Sequence, residues 1–300
     1  MDVADGRNVL MAERIERTPV RYPFSFVVAG DSGAWPDPTA DGIFAELLAQ
    51  VSELEPAPLF FAQLGDFAGP GTAEQHDHYL GLVTGLPMPD VCVVGNHDLD
   101  DPTGPESFAC VHGPTNFSFA YGHTRFVALH AQPGVTGEVE VRGAANPEGL
   151  AGPREEDLAF LDRTLLAAEE PHRVVFMHMP PHLDGRFAPH AEWGFRQREA
   201  EFLALLRAHG VKLVCCAHGL AYDETVHDGI RFVMSGGGGT GLCSHMGGIC
   251  AEGPSRPEDR GSLYHAVELT MGESGAIGGR VLQAFEPVPG HARQGFGDRS

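Results

Sequence analysis

The sequence predicts an α/β fold of two packed mixed β-sheets flanked by helices. Five apolar, β-branched runs each end in a polar or glycine-rich elbow, and helical patterns fall between them. Later strand-like runs follow one another without helices, which calls for a second sheet packed on the first.

Residues 24–30 form the first run, ending at Asp31. The spacing of Ile43, Phe44, Leu47, Leu48, Val51 and Leu54 then predicts a helix with one apolar face. Runs 59–64 and 91–94 lead to Asp66 and Asn96. Segments 116–121 and 124–129, joined at Gly122-His123, read as a hairpin. A helical pattern at Leu158, Leu161, Leu165 and Leu166 precedes run 174–177, which ends at His178. Another at Phe202, Leu205 and Leu206 precedes run 211–216, which ends just before His218. Runs 230–234, 264–269 and 276–285 supply the late strands. Alternation of strand and helix favours parallel pairing through right-handed crossovers, and ligands of such sheets sit beyond the carboxyl ends of the strands. All five elbows fall there. Residues 236–261 are Gly-, Pro- and Cys-rich without periodicity and are expected as a long surface loop. Residues 1–22 are expected as an N-terminal extension, 23–286 as one catalytic domain, and 287–300 as a flexible tail.

Composition narrows the function classes. A hydrophobic content of 42% suits a globular chain. Its apolar runs fall far short of the roughly 20 residues that span a bilayer. Residues 1–21 mix Asp, Glu and Arg without an apolar core, so no secretory signal is expected and the cytoplasm is the expected location. Six cysteines are expected as free thiols. A net charge of −21 disfavours nucleic acid and anionic membranes as partners. It does not disfavour a small phosphorylated substrate, because a bound divalent cation dominates the field at its own site. The oligomeric state is left open.

Asp31, Asp66, Asn96, His178 and His218 offer oxygen and imidazole donors, a set suited to Mn, Fe or Zn without thiolates. Converging from five strand ends, they can form one metal cluster. Weaker signals surround them. His182, four residues after His178, is placed to reach a substrate oxygen. His76-Asp77-His78 falls in a helical stretch, where i and i+2 side chains point apart. Cys243, His245 and Cys250 lack a fourth donor for a zinc site. Arg125, Arg142, Arg154, Arg186 and Arg196 are candidates for an anion contact.

The ordered blocks Gly30-Asp31-Ser32-Gly33, Gly65-Asp66, Gly95-Asn96-His97-Asp98, His178-Met179-Pro180-Pro181 and Ala217-His218-Gly219-Leu220 resemble the calcineurin-like metallophosphoesterases, nearest to their purple acid phosphatase branch. The resemblance covers about residues 24–285 and implies an αββα sandwich. It implies that Asp66 bridges two metals, with Asn96, His178 and His218 completing the second site. In the first site the family's remaining ligand positions fall on Asp31, Gly33, Gly69 and Leu220, of which Asp31 alone is a ligand. One tightly bound divalent transition ion (Fe, Mn or Zn) per chain is therefore expected, with a weak second ion possible unless Tyr222, Asp223 or His227 swings towards Asp31. The resemblance also makes His97 the proton donor to the leaving oxygen and Asp98 the residue that orients it. The expected function is hydrolysis of a small phosphate ester, monoester ahead of diester, by a metal-bound water. The alternatives are a non-catalytic phosphate-binding or regulatory protein, and a non-hydrolytic reaction on a phosphorylated metabolite.

Overall fold

The computed structural model describes residues 6–131, 152–183, 194–195, 197–242 and 263–284. After helix α1 (Arg7–Glu16) the chain runs β1 (Phe24–Ala29), α2 (Pro38–Ser52), β2 (Phe61–Gln63), α3 (Ala73–Val83), β3 (Asp90–Cys92) and α4 (Gly104–His112). The hairpin β4 (Phe117–Tyr121) and β5 (Thr124–Ala128) follows, then α5 (Glu155–Ala167), β6 (His172–Phe176), α6 (Glu199–Ala208) and β7 (Leu213–Cys216). Four strands close the described chain: β8 (Tyr222–His227), β9 (Ile230–Ser235), β10 (Tyr264–Met271) and β11 (Ile277–Ala284).

The strands form two sheets, in the orders β11-β10-β1-β2-β3 and β4-β5-β6-β7-β9-β8. In the first, β1, β2 and β3 are parallel while β10 and β11 add antiparallel. In the second, β5, β6, β7 and β9 are parallel, with antiparallel β4 and β8 at the edges. Both sheets are mixed, as the sequence predicts.

Alternation along β1 shows why the strands read as continuous apolar runs. Phe24, Phe26 and Val28 point into the cluster between the sheets, while Val27 and Ala29 pack with α2 residues on the outer face. Between the sheets Phe26 stacks on Phe60 at 5.1 Å, and Phe60 meets Phe126 edge-on at 5.2 Å. Each such ring removed from water contributes about 1.5–3 kcal/mol. Leu158, Leu161 and Leu165 of α5, with Phe202 and Leu206 of α6, cover the second sheet.

Two expectations need correction, and one strand was not foreseen. Within the expected extension 1–22, α1 docks on the domain, with Ala12 and Ile15 in the inter-sheet core and Arg7 paired with Asp90. Buried Asn8 acts as a surrogate strand neighbour, its Nδ2 donating to the Cys92 carbonyl at 2.9 Å and its Oδ1 accepting from the Cys92 N–H at 2.8 Å. Strand β8 escapes the sequence reading because it is a half-exposed edge with little apolar content. Gly236–Gly239, expected on the surface, are buried: Gly238 N donates to Gly30 O at 2.9 Å, and Thr240 N to Asp31 O at 2.8 Å. The rest of that loop, the tail 287–300, and Cys243, His245 and Cys250 lie outside the described residues.

Replacing Asn8 with Ala strands a buried N–H and a buried carbonyl on Cys92, and we expect a loss of about 2–4 kcal/mol in urea unfolding of the metal-free protein. A loss below about 0.5 kcal/mol, the range of a neutral surface change, would show that α1 is dispensable to the domain.

Candidate metal centre

The two sheets bring the carboxyl ends of β1, β2, β3, β6 and β7 to a common edge. Asp31, Asp66 and His218 each adopt positive φ, at 58°, 56° and 66°. Such a conformation costs a side-chain-bearing residue about 1–3 kcal/mol and persists only where its surroundings fix it. They do so here: Asp31 N donates to Gly65 O at 2.9 Å, Gly33 N to Asp66 O at 2.9 Å, and His218 N to Asp31 Oδ2 at 2.8 Å. The neighbouring glycines have steric reasons. A Cβ on Gly65 would lie 2.6 Å from His178 Nδ1, and one on Gly95 would collide with the Asp66 backbone nitrogen.

Donor atoms of Asp66, His178 and His218 lie within 4.8 Å of one another. His178 Nδ1 donates to the Leu64 carbonyl at 2.8 Å, so in the neutral ring Nε2 carries the lone pair. That nitrogen faces Asn96 Oδ1 at 3.1 Å, Asp66 Oδ2 at 3.2 Å and His218 Nδ1 at 3.2 Å. His218 Nδ1 also lies 3.1 Å from Asn96 Oδ1. The arrangement has more acceptors than protons. One cation in their midst satisfies all four, and two imidazoles, a carboxylate and an amide oxygen suit a borderline divalent ion. Asp31 is buried beside them, and its Oδ1 has no hydrogen-bond partner.

The titration behaviour of the ion-free cluster follows. Burial opposes protonation of His178, but the charge and hydrogen bond of Asp66, with Asp31, raise it to about 9. Burial and the charge on His178 hold His218 down to about 3. Asp66, despite burial, is held below the usual carboxylate range by His178. Burial and the charge of Asp66 push Asp31 well up.

Asn96 leads into a 3₁₀ turn, His97–Leu99. His97 N donates to Asp66 Oδ1 at 2.8 Å, and the half-exposed ring donates from Nδ1 to Asp100 Oδ2 at 2.5 Å. Burial would lower the His97 pKa, yet Asp100 and Asp66 raise it to about 9. Asp98, expected to orient His97, instead turns inward. It is fully buried and accepts from the backbone N–H groups of Asp66 (3.0 Å), Phe67 (2.9 Å), Ala68 (2.8 Å) and Gly95 (2.7 Å). The orienting carboxylate is Asp100, which the sequence reading missed. In a 3₁₀ turn residues i and i+3 eclipse, while i+1 points elsewhere, so recognising that turn would have found it.

The other candidates scatter. His182 bonds Glu199 at 2.6 Å and meets the His227 ring at a tilt of 35°, with centroids 4.1 Å apart, against α6 and the end of β8. His76 is buried against His112, and His78 pairs with Asp41. Arg125 is bound to Glu170 and Arg154 to Asp157, while Arg142, Arg186 and Arg196 lie outside the described residues. The Tyr222 hydroxyl donates to Glu224 at 3.0 Å. At the three non-ligand positions space is already taken. A Cβ on Gly33 would lie 2.7 Å from Phe67 O, one on Gly69 would collide with Ala34 O, and Leu220 packs in the core beneath α5 and α6.

The sequence profile of the family described as calcineurin-like phosphoesterase matches residues 24–222. Comparison with curated proteins gives no significant match. Among solved structures the chain is similar to a purple acid phosphatase from yellow lupin (Lupinus luteus) seeds, with TM-score 0.60 and 15% identity. That match covers 88% of this chain and 54% of the other, so the chain spans about half of the lupin protein. It is also similar to a dimetal phosphatase from Danio rerio, with TM-score 0.59 and 13% identity over 87% of this chain and 98% of the other. A third likeness is to GAP50, the anchor in the inner membrane complex of Plasmodium, with TM-score 0.55 and 14% identity over 88% and 89%. Among the described residues no helix is long and apolar enough to cross a membrane.

Protonated His178 stabilises the ion-free fold. Because its pKa is raised, that contribution is complete below the ordinary value of 6.5 and is lost as pH rises through about 9. We expect the Tm of chelator-treated protein to fall over that interval, and His178→Gln to flatten the slope. Added Mn or Zn should restore Tm and bind more tightly as pH rises, since binding releases the proton. A Tm independent of pH from 6.5 to 9 would contradict the assignment of that proton.

Proposed function

The chain belongs to the calcineurin-like phosphoesterase family, and on that premise we propose that it hydrolyses a small phosphate ester, monoester ahead of diester, at one tightly held divalent transition ion. The supporting observation is the cluster in which His178 Nε2 meets an amide oxygen, a carboxylate oxygen and a second imidazole nitrogen, all within 3.2 Å. Asp66, Asn96, His178 and His218 would hold the ion, with Fe, Mn or Zn the fitting choices. When bound there, it supplies charge neutralisation for the phosphate oxygens and acidifies water for attack.

The chain's own residues do the rest. The Leu64 carbonyl fixes the His178 tautomer, keeping Nε2 free to ligate. Asp98 stitches the Asp66 loop to the Asn96 loop through four backbone N–H bonds, so it acts by positioning and not on the proton. His97, whose pKa Asp100 and Asp66 raise to about 9 in the ion-free site and whose ring Asp100 orients, donates a proton to the leaving oxygen. Asp31 with a share of Asp66 makes at most a weak second site for a hard cation. A chain of this charge, −21, acts on small phosphorylated molecules and not on nucleic acid, in our reading in the cytoplasm and through one catalytic domain reaching to about residue 286.

Assay of phosphomonoesters and phosphodiesters with added Mn, Fe, Zn and Mg tests the function, and uptake of ion and phosphate without turnover would favour the non-catalytic alternative. After dialysis we expect about one ion per chain by elemental analysis, and loss of both ion and turnover in Asn96→Ala and His178→Ala with the circular dichroism spectrum retained. Two tightly held ions would overturn the single-ion reading. His97→Asn should lower kcat by about 10²- to 10⁴-fold, less for aryl than for alkyl esters, because a phenolate leaves without a proton. An equal loss for both would remove the proton-donor role.

A further inference from the structure

Few large apolar side chains are exposed among the described residues. Leu10, Val20, Leu166 and Val226 lie on α1, before β1, on α5 and on β8, while Trp35 lies beside the candidate centre, 42% exposed. Its ring meets the His97 ring edge to face, with centroids 5.0 Å apart and planes at 89°. The loop that carries it is fixed on both sides. Gly69 N donates to Gly33 O at 2.9 Å and Ala34 N donates to Thr240 Oγ1 at 3.0 Å. Downstream, the Asp37 side chain caps α2 by accepting from Thr39 N at 2.8 Å. A large aromatic side chain held in place and still open to water presents a recognition surface at small entropic cost.

We propose that Trp35 is a specificity-determining residue, an aromatic wall that selects phosphate esters whose alcohol half carries an aromatic ring. The proposal rests on the reading of His97 as the donor to the leaving oxygen. That transfer requires the oxygen within about 2.6–3.2 Å of the imidazole. The group attached to the oxygen then emerges beside His97, where the indole centroid lies 5.0 Å from the imidazole. An aromatic ring there stacks on Trp35 or meets its edge, whereas a glycerol-like group makes no such contact. Offset and edge-to-face aromatic pairs add to plain area burial, which gives the wall its selectivity.

Two measurements test this. In a Trp193→Phe background, which leaves Trp35 as the sole remaining tryptophan of the two in the sequence, ion-loaded protein is titrated with phenylphosphonate, methylphosphonate or adenosine 5′-monophosphate. We expect saturable change in fluorescence with phenylphosphonate or the nucleotide at concentrations where methylphosphonate has none. Which of the two aromatic probes responds separates an aryl ester from a nucleotide. In the second measurement the ratio of kcat/KM for phenyl phosphate over ethyl phosphate should fall roughly five- to tenfold in Trp35→Ala, mainly through KM, and be largely regained in Trp35→Phe. Equal losses on both esters, carried by kcat, would mean that Trp35 only props His97, and would overturn the proposal. So would fluorescence responses to both aromatic probes that are indistinguishable from the response to methylphosphonate. If wild-type protein hydrolyses neither these esters, nor the nucleotide, nor any other ester of the metal-supplemented panel, the phosphoesterase reading fails, while the fluorescence titration still decides whether Trp35 recognises an aromatic ring.

Discussion

Lone pairs of Asp66, Asn96, His178 and His218 are aimed at one point, with more acceptors than protons to share among them. Without an ion, the proton that Asp66 and Asp31 hold on His178 offsets only part of this crowding of acceptors, and a chain free to relax would turn the remaining lone pairs apart. The fold prevents that. The Leu64 carbonyl fixes the His178 ring, four backbone N–H groups converge on Asp98, and the buried Gly236–Gly239 segment backs the Asp31 loop. Positive φ at Asp31, Asp66 and His218 is a further cost of the same arrangement. The aromatic core between the sheets, with Phe26, Phe60, Phe126 and Phe176 in mutual contact, holds the strands whose ends bear these residues.

The same loops explain the asymmetry of the centre. Gly33 and Gly69 are drawn together by a backbone hydrogen bond of 2.9 Å, and neither has room for a Cβ. Leu220 is committed to the packing beneath α5 and α6. Restoring a second set of ligands would therefore require moving backbone as well as changing side chains. That closure also fixes the backbone leading to Trp35, so the segment that holds Gly33 also carries the aromatic ring against His97.

Much of this was legible in the amino-acid order. Runs such as 26–30 and 213–216 are apolar throughout because both faces of their sheets are covered, and the polar residue that follows each run marks the carboxyl edge. The fold class and the family followed from those runs and from Gly95-Asn96-His97-Asp98. Helix α1 was not legible as part of the domain, because its docking rests on contacts made far along the chain: Asn8 with the Cys92 backbone, Arg7 with Asp90, and Ala12 and Ile15 in the inter-sheet core. Strand β8 was not, because an edge strand with one face open carries little apolar signal.

The sequence by itself determined which side chains stand at the strand ends, since strand period and elbow position are local properties of the chain. It could not determine which carboxylate serves which histidine. Asp98 and Asp100 both lie close to His97 in sequence, and their roles are divided by the three-residue period of one 3₁₀ turn and by the N–H groups that the Asp66 loop directs at Asp98. Nor could it show that Gly33 and Gly69 lack space for a side chain, because the atoms that fill it belong to Phe67 and Ala34, each 34 or 35 residues away. Such contacts between segments distant in sequence exist only once the sheets have packed, and for that reason the tertiary structure alone decided them.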